Sequence, residues 1–195
     1  MKIRCDIPPD TETLVHVCCA PDASHGIEAL QRRLTVTAFF YNPNIHPREE
    51  FRKRLFAALD LQEKALFPMV IGTGGEEEWE AAVRGLEGEP ERGVRCEACV
   101  RMRLRETARK AAELRMPAFG TVLTVSPKKD AAMVNRVGRE EAERAGLRFV
   151  EADLKKEDGY LRSVQLSKEM GLYRQRYCGC RYSIRTGGSV RESPC

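Results

Sequence analysis

The sequence predicts an α/β protein, a three-layer α/β/α arrangement around a five-stranded parallel sheet. Two observations carry this. Short apolar runs rich in β-branched and aromatic residues alternate with longer segments whose apolar residues recur every three and four positions. The connections between the runs read as helices, which parallel strands covered on both faces require. At 195 residues the expectation is a single domain spanning 1–195.

The first strand is placed at residues 14–18, followed by a loop reading Cys18-Cys19-Ala20-Pro21-Asp22. Pro21 ends the strand, and Asp22 or Ser24 can cap a helix carrying Ile27, Leu30 and Leu34. A second strand at 35–41 stops at Asn42-Pro43-Asn44, and Pro47 then opens a helix with Phe51, Leu55, Ala58 and Leu59 on one face. A third strand at 67–71 runs into Gly72-Thr73-Gly74-Gly75. Residues 76–91 hold seven acids against Arg84 and read as a solvated helix face or loop. Residues 96–115 form a long helix, with Val100, Leu104, Ala108 and Ala111 at helical spacing and Cys96 and Cys99 together at its start. A fourth strand at 118–125 ends at Ser126-Pro127, a helix follows at 130–145, a short fifth strand lies at 149–152, and a last helix spans 159–171.

In open parallel sheets ligands gather at the carboxyl ends of the strands. Cys18 and Cys19 end the first strand and Ser126 ends the fourth, so one rim is expected to hold a shared site. Neither G-x-G-x-x-G nor G-x-x-x-x-G-K-[ST] occurs, which removes the standard nucleotide fingerprints. No apolar run is long enough for a membrane span, and the start MKIRCDIPPD is too polar for a signal peptide. A cytoplasmic location is therefore expected, where thiols stay reduced.

Against that background eight cysteines point to metal or redox chemistry. Six fall in three tight pairs: Cys18-Cys19, Cys96-x-x-Cys99 and Cys178-x-Cys180. Cys96 and Cys99 share a face at a helix N-terminus, where the dipole and the flanking Arg95 and Arg101 favour thiolates. With Cys18 and Cys19 they make four thiolates, enough for a zinc site or an iron–sulfur cluster. Adjacent cysteines make a poor zinc knuckle, which favours the cluster; buried free cysteines are the plain alternative. Gly179 lets Cys178 and Cys180 approach closely enough for a strained, easily reduced disulfide, or lets them hold a second metal ion. Cys5 and Cys195 stand alone.

Residues 173–185 carry Arg174, Arg176, Arg181 and Arg185 and no acid, a pattern suited to a phosphate-bearing partner. Asp22 is placed to ligate iron, move a proton or cap a helix. His16 reads as a buried, hydrogen-bonded strand residue, and His25 and His46 as surface or capping residues. Tyr160 and Tyr173 fit base stacking or half-buried core positions equally well.

These segments together resemble a known family. His16-Val17-Cys18-Cys19-Ala20-Pro21-Asp22, Phe40-Tyr41-Asn42-Pro43-Asn44-Ile45-His46-Pro47, Arg95-Cys96-Glu97-Ala98-Cys99, Thr124-Val125-Ser126-Pro127-Lys128-Lys129 and Gly171-Leu172-Tyr173-Arg174-Gln175-Arg176-Tyr177-Cys178-Gly179-Cys180 closely resemble the QueH-type epoxyqueuosine reductases, in order, over residues 15–183. The resemblance implies a fold similar to the adenine-nucleotide α-hydrolase (HUP) class. It implies reductive removal of the epoxide oxygen from epoxyqueuosine at the tRNA wobble position, giving queuosine. It further implies a 4Fe-4S cluster on Cys18, Cys19, Cys96 and Cys99. Cys178 and Cys180 would then be a redox-active pair or ligands of an additional mononuclear iron, with Asp22 as an alternative ligand. Asp22 or Tyr160 would protonate the departing oxygen. Arg174, Arg176, Arg181, Arg185, Lys128 and Lys129 become candidates for tRNA phosphates, and a separate electron donor is required. On this reading residues 1–195 are one catalytic domain whose Cys-x-Cys segment packs on the sheet rim. Where HUP proteins cradle ATP with Ser-Gly-Gly, this chain has Cys-Cys-Ala-Pro-Asp, which argues against an ATP-dependent tRNA thiolase. A zinc-stabilised RNA-binding module is the non-enzymatic alternative.

Overall fold

The structure, a computed structural model, describes residues 7–184. Its elements follow the alternation expected from the sequence. They are β1 (Thr11–Val17), α1 (Ala20–Gln31), β2 (Leu34–Phe40), α2 (Arg48–Ala65), β3 (Met69–Ile71), α3 (Glu76–Val83), α4 (Val94–Glu113), β4 (Ala118–Thr121), α5 (Ala131–Ala145), β5 (Arg148–Phe149) and α6 (Gly159–Glu169). All strand pairs are parallel, in the order β3-β2-β1-β4-β5. The order reverses between β1 and β4, so the crevice of an open parallel sheet falls at the carboxyl end of β1, where Cys18 stands.

Strand alternation divides the core. Val15 and Val17 of β1, with Val36, Ala38 and Phe40 of β2, pack under α1, α2 and the loops near α6. Leu14, Phe39 and Phe119 point the other way, towards α4 and α5. His16 lies in the middle of the sheet with no exposure, its Nδ1 3.0 Å from Thr121 Oγ1 and its Nε2 3.1 Å from the Tyr41 carbonyl. Burial lowers its pKa to about 3, so a neutral imidazole ties the ends of β1, β2 and β4 together, as the sequence reading expected.

Three elements differ from expectation. β4 ends at Thr121, not at residue 125, because the Thr121 hydroxyl accepts from the Leu123 amide and the chain turns into a 3₁₀ helix, Leu123–Val125. β5 stops at Phe149, and the Ala152 backbone pairs with the Asn135 side-chain amide in place of a strand. Within the acidic run, Glu76–Val83 is a true helix that buries Trp79 and Val83 against α4. Among the described residues, no helix is long and apolar enough to cross a membrane.

Candidate active site

Cys18 leaves β1 and Cys19 occupies the N-cap position of α1 with extended backbone, followed by Pro21 in the first turn. The turn between strand and helix brings the two sulfurs to 3.7 Å, where a continuous strand would send them to opposite faces. Asp22 completes the group: Cys18 Sγ lies 3.6 Å from its Oδ2, and the donor atoms of Cys18, Cys19 and Asp22 all stand within 4.8 Å of one another. Burial raises the Asp22 pKa to about 6 against the pull of hydrogen bonds from Cys18 and Cys19 and the charges of Arg174 and Lys129. The Cys18 hydrogen bond, then burial, push the Cys19 thiol up. Gln175 Nε2 donates to Cys19 Sγ at 2.9 Å.

The second pair opens α4. Cys96 and Cys99 fall in its first turns, and the Arg92 amide donates to Cys96 Sγ at 3.3 Å. Further along the same face Arg103 is buried, its Nε donating to the Cys99 carbonyl. Burial opposes its charge, but the neighbouring thiols of Cys99, Cys178, Cys18 and Cys96 raise its pKa. One guanidinium therefore faces cysteines from all three pairs.

The third pair is held from outside the motif. Arg54 on α2, 2% exposed, donates to the carbonyls of Cys178 and Tyr177 at 2.9 and 3.0 Å. Its Nε pairs with buried Glu50 at 2.8 Å, and Glu50 also accepts from Tyr173 Oη at 2.7 Å. The His46 amide donates to the Gly179 carbonyl at 2.8 Å. Gly179 has φ +119°, and a Cβ there would lie 2.9 Å from Arg54 Nη1, so only glycine fits between the two cysteines. Lys129 Nζ donates to Cys178 Sγ at 2.9 Å. Burial disfavours the Cys178 thiolate, yet the Lys129 ammonium, with Arg103 and Arg54 behind it, brings its pKa below the usual thiol value. Cys180, without such a partner, is pushed up by burial.

Two adjoining spaces result. An open cleft of about 180 Å³ is lined by Cys18, Asp22, Cys96, Cys178, Cys180 and Tyr160, with Arg92, Lys128, Arg174 and Arg176 among the residues around it. Seven cations line it against three acids, which suits a polyanionic ligand. Behind it a recess is walled by Cys96, Cys99, Cys178 and Cys180, with Trp79, Arg95, Arg103 and Lys129. The six described cysteines are free thiols. The donor chemistry fits a soft-metal centre: clustered thiols faced by buried cations that offset thiolate charge, with one carboxylate beside them.

The cleft thus gathers Cys18, Asp22, Cys96, Cys178, Cys180, Tyr160, Lys128, Lys129, Arg174 and Arg176, while Cys99 lines the recess behind it and Cys19 is buried beside Cys18. Arg181 is directed elsewhere, paired with Glu80 and stacked over Trp79. Arg185, Cys5 and Cys195 lie outside the described residues. Tyr173 is occupied by Glu50, and His25 is half-buried beside the Leu154 backbone. Sequence reasoning missed Arg54, Glu50, Arg103, Trp79 and Gln175. Arg103 had a signal, since it follows Cys99 by four and Cys96 by seven on one helix.

Fold and site define the class: an α/β protein of the HUP type in which a cysteine-rich, cation-lined cleft occupies the rim beside the switch point. The family model of epoxyqueuosine reductase QueH matches residues 13–186. The chain belongs to this family of oxidoreductases. Relatives of that name include one from Streptococcus pyogenes serotype M1, 37% identical over 90% of this chain and 71% of its own length. Another, from Thermotoga maritima, is 36% identical over 88% of this chain and 89% of its own. The U34-tRNA thiolase NcsA of Methanococcus maripaludis, solved with its 4Fe-4S cluster, shares the fold at a TM-score of 0.59 and 13% identity, over 91% of this chain and 62% of that one.

Proposed function

We propose that this protein reduces epoxyqueuosine in tRNA to queuosine: the epoxide C–O bonds are broken, two electrons and two protons are taken up, and water leaves. Family membership supports the reaction, and the observation that carries the site is the convergence of three cysteine pairs on one cationic cleft. The chemistry an iron–sulfur centre supplies there is electron delivery and Lewis-acid polarisation of the C–O bond.

The proposed division of the thiols starts from the Cys18–Cys19 pair. Two thiolates on one tetrahedral ion, at a metal–sulfur length of about 2.3 Å, stand roughly 3.8 Å apart; Cys18 and Cys19 are at 3.7 Å with Asp22 beside them. That favours Cys18, Cys19 and Asp22 as ligands of a single iron. Cys96, Cys99, Cys178 and Cys180 wall the recess and are assigned to the 4Fe-4S cluster, whose thiolates each take a different iron. This moves Cys18 and Cys19 away from Cys96 and Cys99 relative to the grouping implied by the resemblance. It also takes Cys178 and Cys180 as ligands and not as a disulfide-forming pair.

The remaining residues bind and protonate. Tyr160 faces the cleft and is the proton donor to the departing oxygen, Asp22 being taken up as an iron ligand. Arg92, Lys128, Arg174 and Arg176 meet the anticodon phosphates, and Arg54 fixes the Cys-x-Cys segment on the rim of one catalytic domain. The test is anaerobic incubation of the iron- and sulfide-loaded protein with epoxyqueuosine-containing tRNA and a strong reductant, followed by nucleoside mass analysis. Loss of one oxygen atom is expected; an unchanged nucleoside rejects the assignment. Cys178→Ala should lose iron and sulfide, whereas full retention with no turnover would restore the redox-pair role.

A further inference from the structure

Trp79 is the chain's single tryptophan. It is 2% exposed and clusters with Val83, Cys99 and Cys180. Its ring is fixed on two sides: Tyr182 packs at a centroid distance of 6.2 Å, and the Arg181 guanidinium, tethered by Glu80, lies 5.9 Å over it. Its Nε1 is nevertheless buried with no hydrogen-bond partner among the described residues. Leaving a buried donor unpaired is costly, and a buried indole N–H ordinarily has an acceptor.

The acceptor is narrowed by what surrounds the recess that Trp79 lines. Its other side chains are Arg95, Arg103 and Lys129, which only donate, and the thiols of Cys96, Cys99, Cys178 and Cys180. The side-chain acceptor chemistry on offer is sulfur. We propose that the Trp79 indole N–H donates to a sulfur of the iron–sulfur centre in this recess and raises its reduction potential. Trp79 is then a positioning residue that tunes the centre without touching substrate. The inference rests on the assignment of these four thiols to a cluster. A hydrogen bond to sulfur stabilises the reduced, more negative state, so its removal lowers the potential.

Two forms test it: Trp79→Phe, and the full chain with its one tryptophan replaced by benzothienylalanine, which keeps the ring's shape and loses only the N–H. Each is purified anaerobically, assayed for iron and acid-labile sulfide, and titrated with a reductant under electron paramagnetic resonance. Both are expected to hold wild-type iron and sulfide and to have midpoint potentials below wild type. An unchanged potential in a fully loaded form overturns the proposal while leaving the cluster assignment standing. Absence of sulfide from the wild-type protein overturns both. If Trp79→Phe fails to fold, the benzothienylalanine form decides; loss of sulfide from that form makes the N–H structural and overturns the tuning role.

Discussion

The Lys129 ammonium donates to the Cys178 sulfur across 2.9 Å, which ties a residue from the loop before α5 to the Cys-x-Cys segment. Lys128 next to it is exposed on the cleft, so the two adjacent lysines stand in different surroundings. The salt dependence of tRNA binding distinguishes them. Arg176→Ala or Lys128→Ala should weaken binding about equally for all tRNAs and reduce the slope of log affinity against log salt by about 1. Lys129→Met should leave that slope unchanged, lower turnover at least tenfold and reduce iron content. A slope change in Lys129→Met equal to that of its neighbour would return Lys129 to the phosphate-binding set.

Arg54 links α2 to the third cysteine pair through two carbonyls, with Glu50 as its buried counter-charge. Arg54→Met leaves Glu50 without its cation, at a cost of about 3–5 kcal/mol. The urea midpoint should fall accordingly. Arg54→Lys keeps a charge but cannot span both carbonyls, so it should retain most of the stability while kcat drops and KM for tRNA changes little. Full activity in Arg54→Lys would show that the fork does not hold the loop in its working position.

Much of the framework is readable from local pattern. The β1 and β2 runs, the long helix carrying Cys96 and Cys99 and the burial of His16 follow from periodicity and residue type. What was hidden depends on distant partners or on single side chains. Arg54 reaches carbonyls more than 120 positions away, and its neighbourhood reads as an ordinary charged helix. Trp79 and Val83, spaced four apart, are masked by the acids around them. The Thr121 hydroxyl ends β4 by taking the Leu123 amide, a competition that β-propensity does not register. The cysteine pairs themselves were plain, but their neighbours were not: Asp22 stands with Cys18 and Cys19, and Trp79 and Arg103 line the recess with Cys96, Cys99, Cys178 and Cys180.

The division of ligands has its own signature. Asp22→Ala removes the carboxylate beside Cys18 and Cys19, on the proposed division an iron ligand, and leaves the recess intact. It should lower iron by about one atom per chain, as expected for one metal ion bound by a small ligand set, and leave acid-labile sulfide at the wild-type level. Cys99→Ala should deplete both. Analysis of iron and sulfide on anaerobically purified protein reads the difference directly. Equal loss of sulfide in the two variants would place Asp22 on the cluster itself.

The outer layer can be tested apart from the metal chemistry. Gly138 on α5 faces the Phe149 ring so closely that a Cβ would collide with it. Phe149 in turn packs edge-on against Phe119 of β4, with centroids 5.2 Å apart, and is buried. Gly138→Ala gains about 1 kcal/mol of helix propensity, but overpacking of this kind costs about 1–3 kcal/mol, and the blocked ring decides the sign. Net destabilisation is therefore expected in urea denaturation. Phe149→Leu shrinks the obstructing group, so the double variant should be more stable than the sum of the single effects by about 0.5 kcal/mol or more. Strict additivity would mean that α5 shifts as a body over the sheet and that the Gly138–Phe149 contact does not set its height.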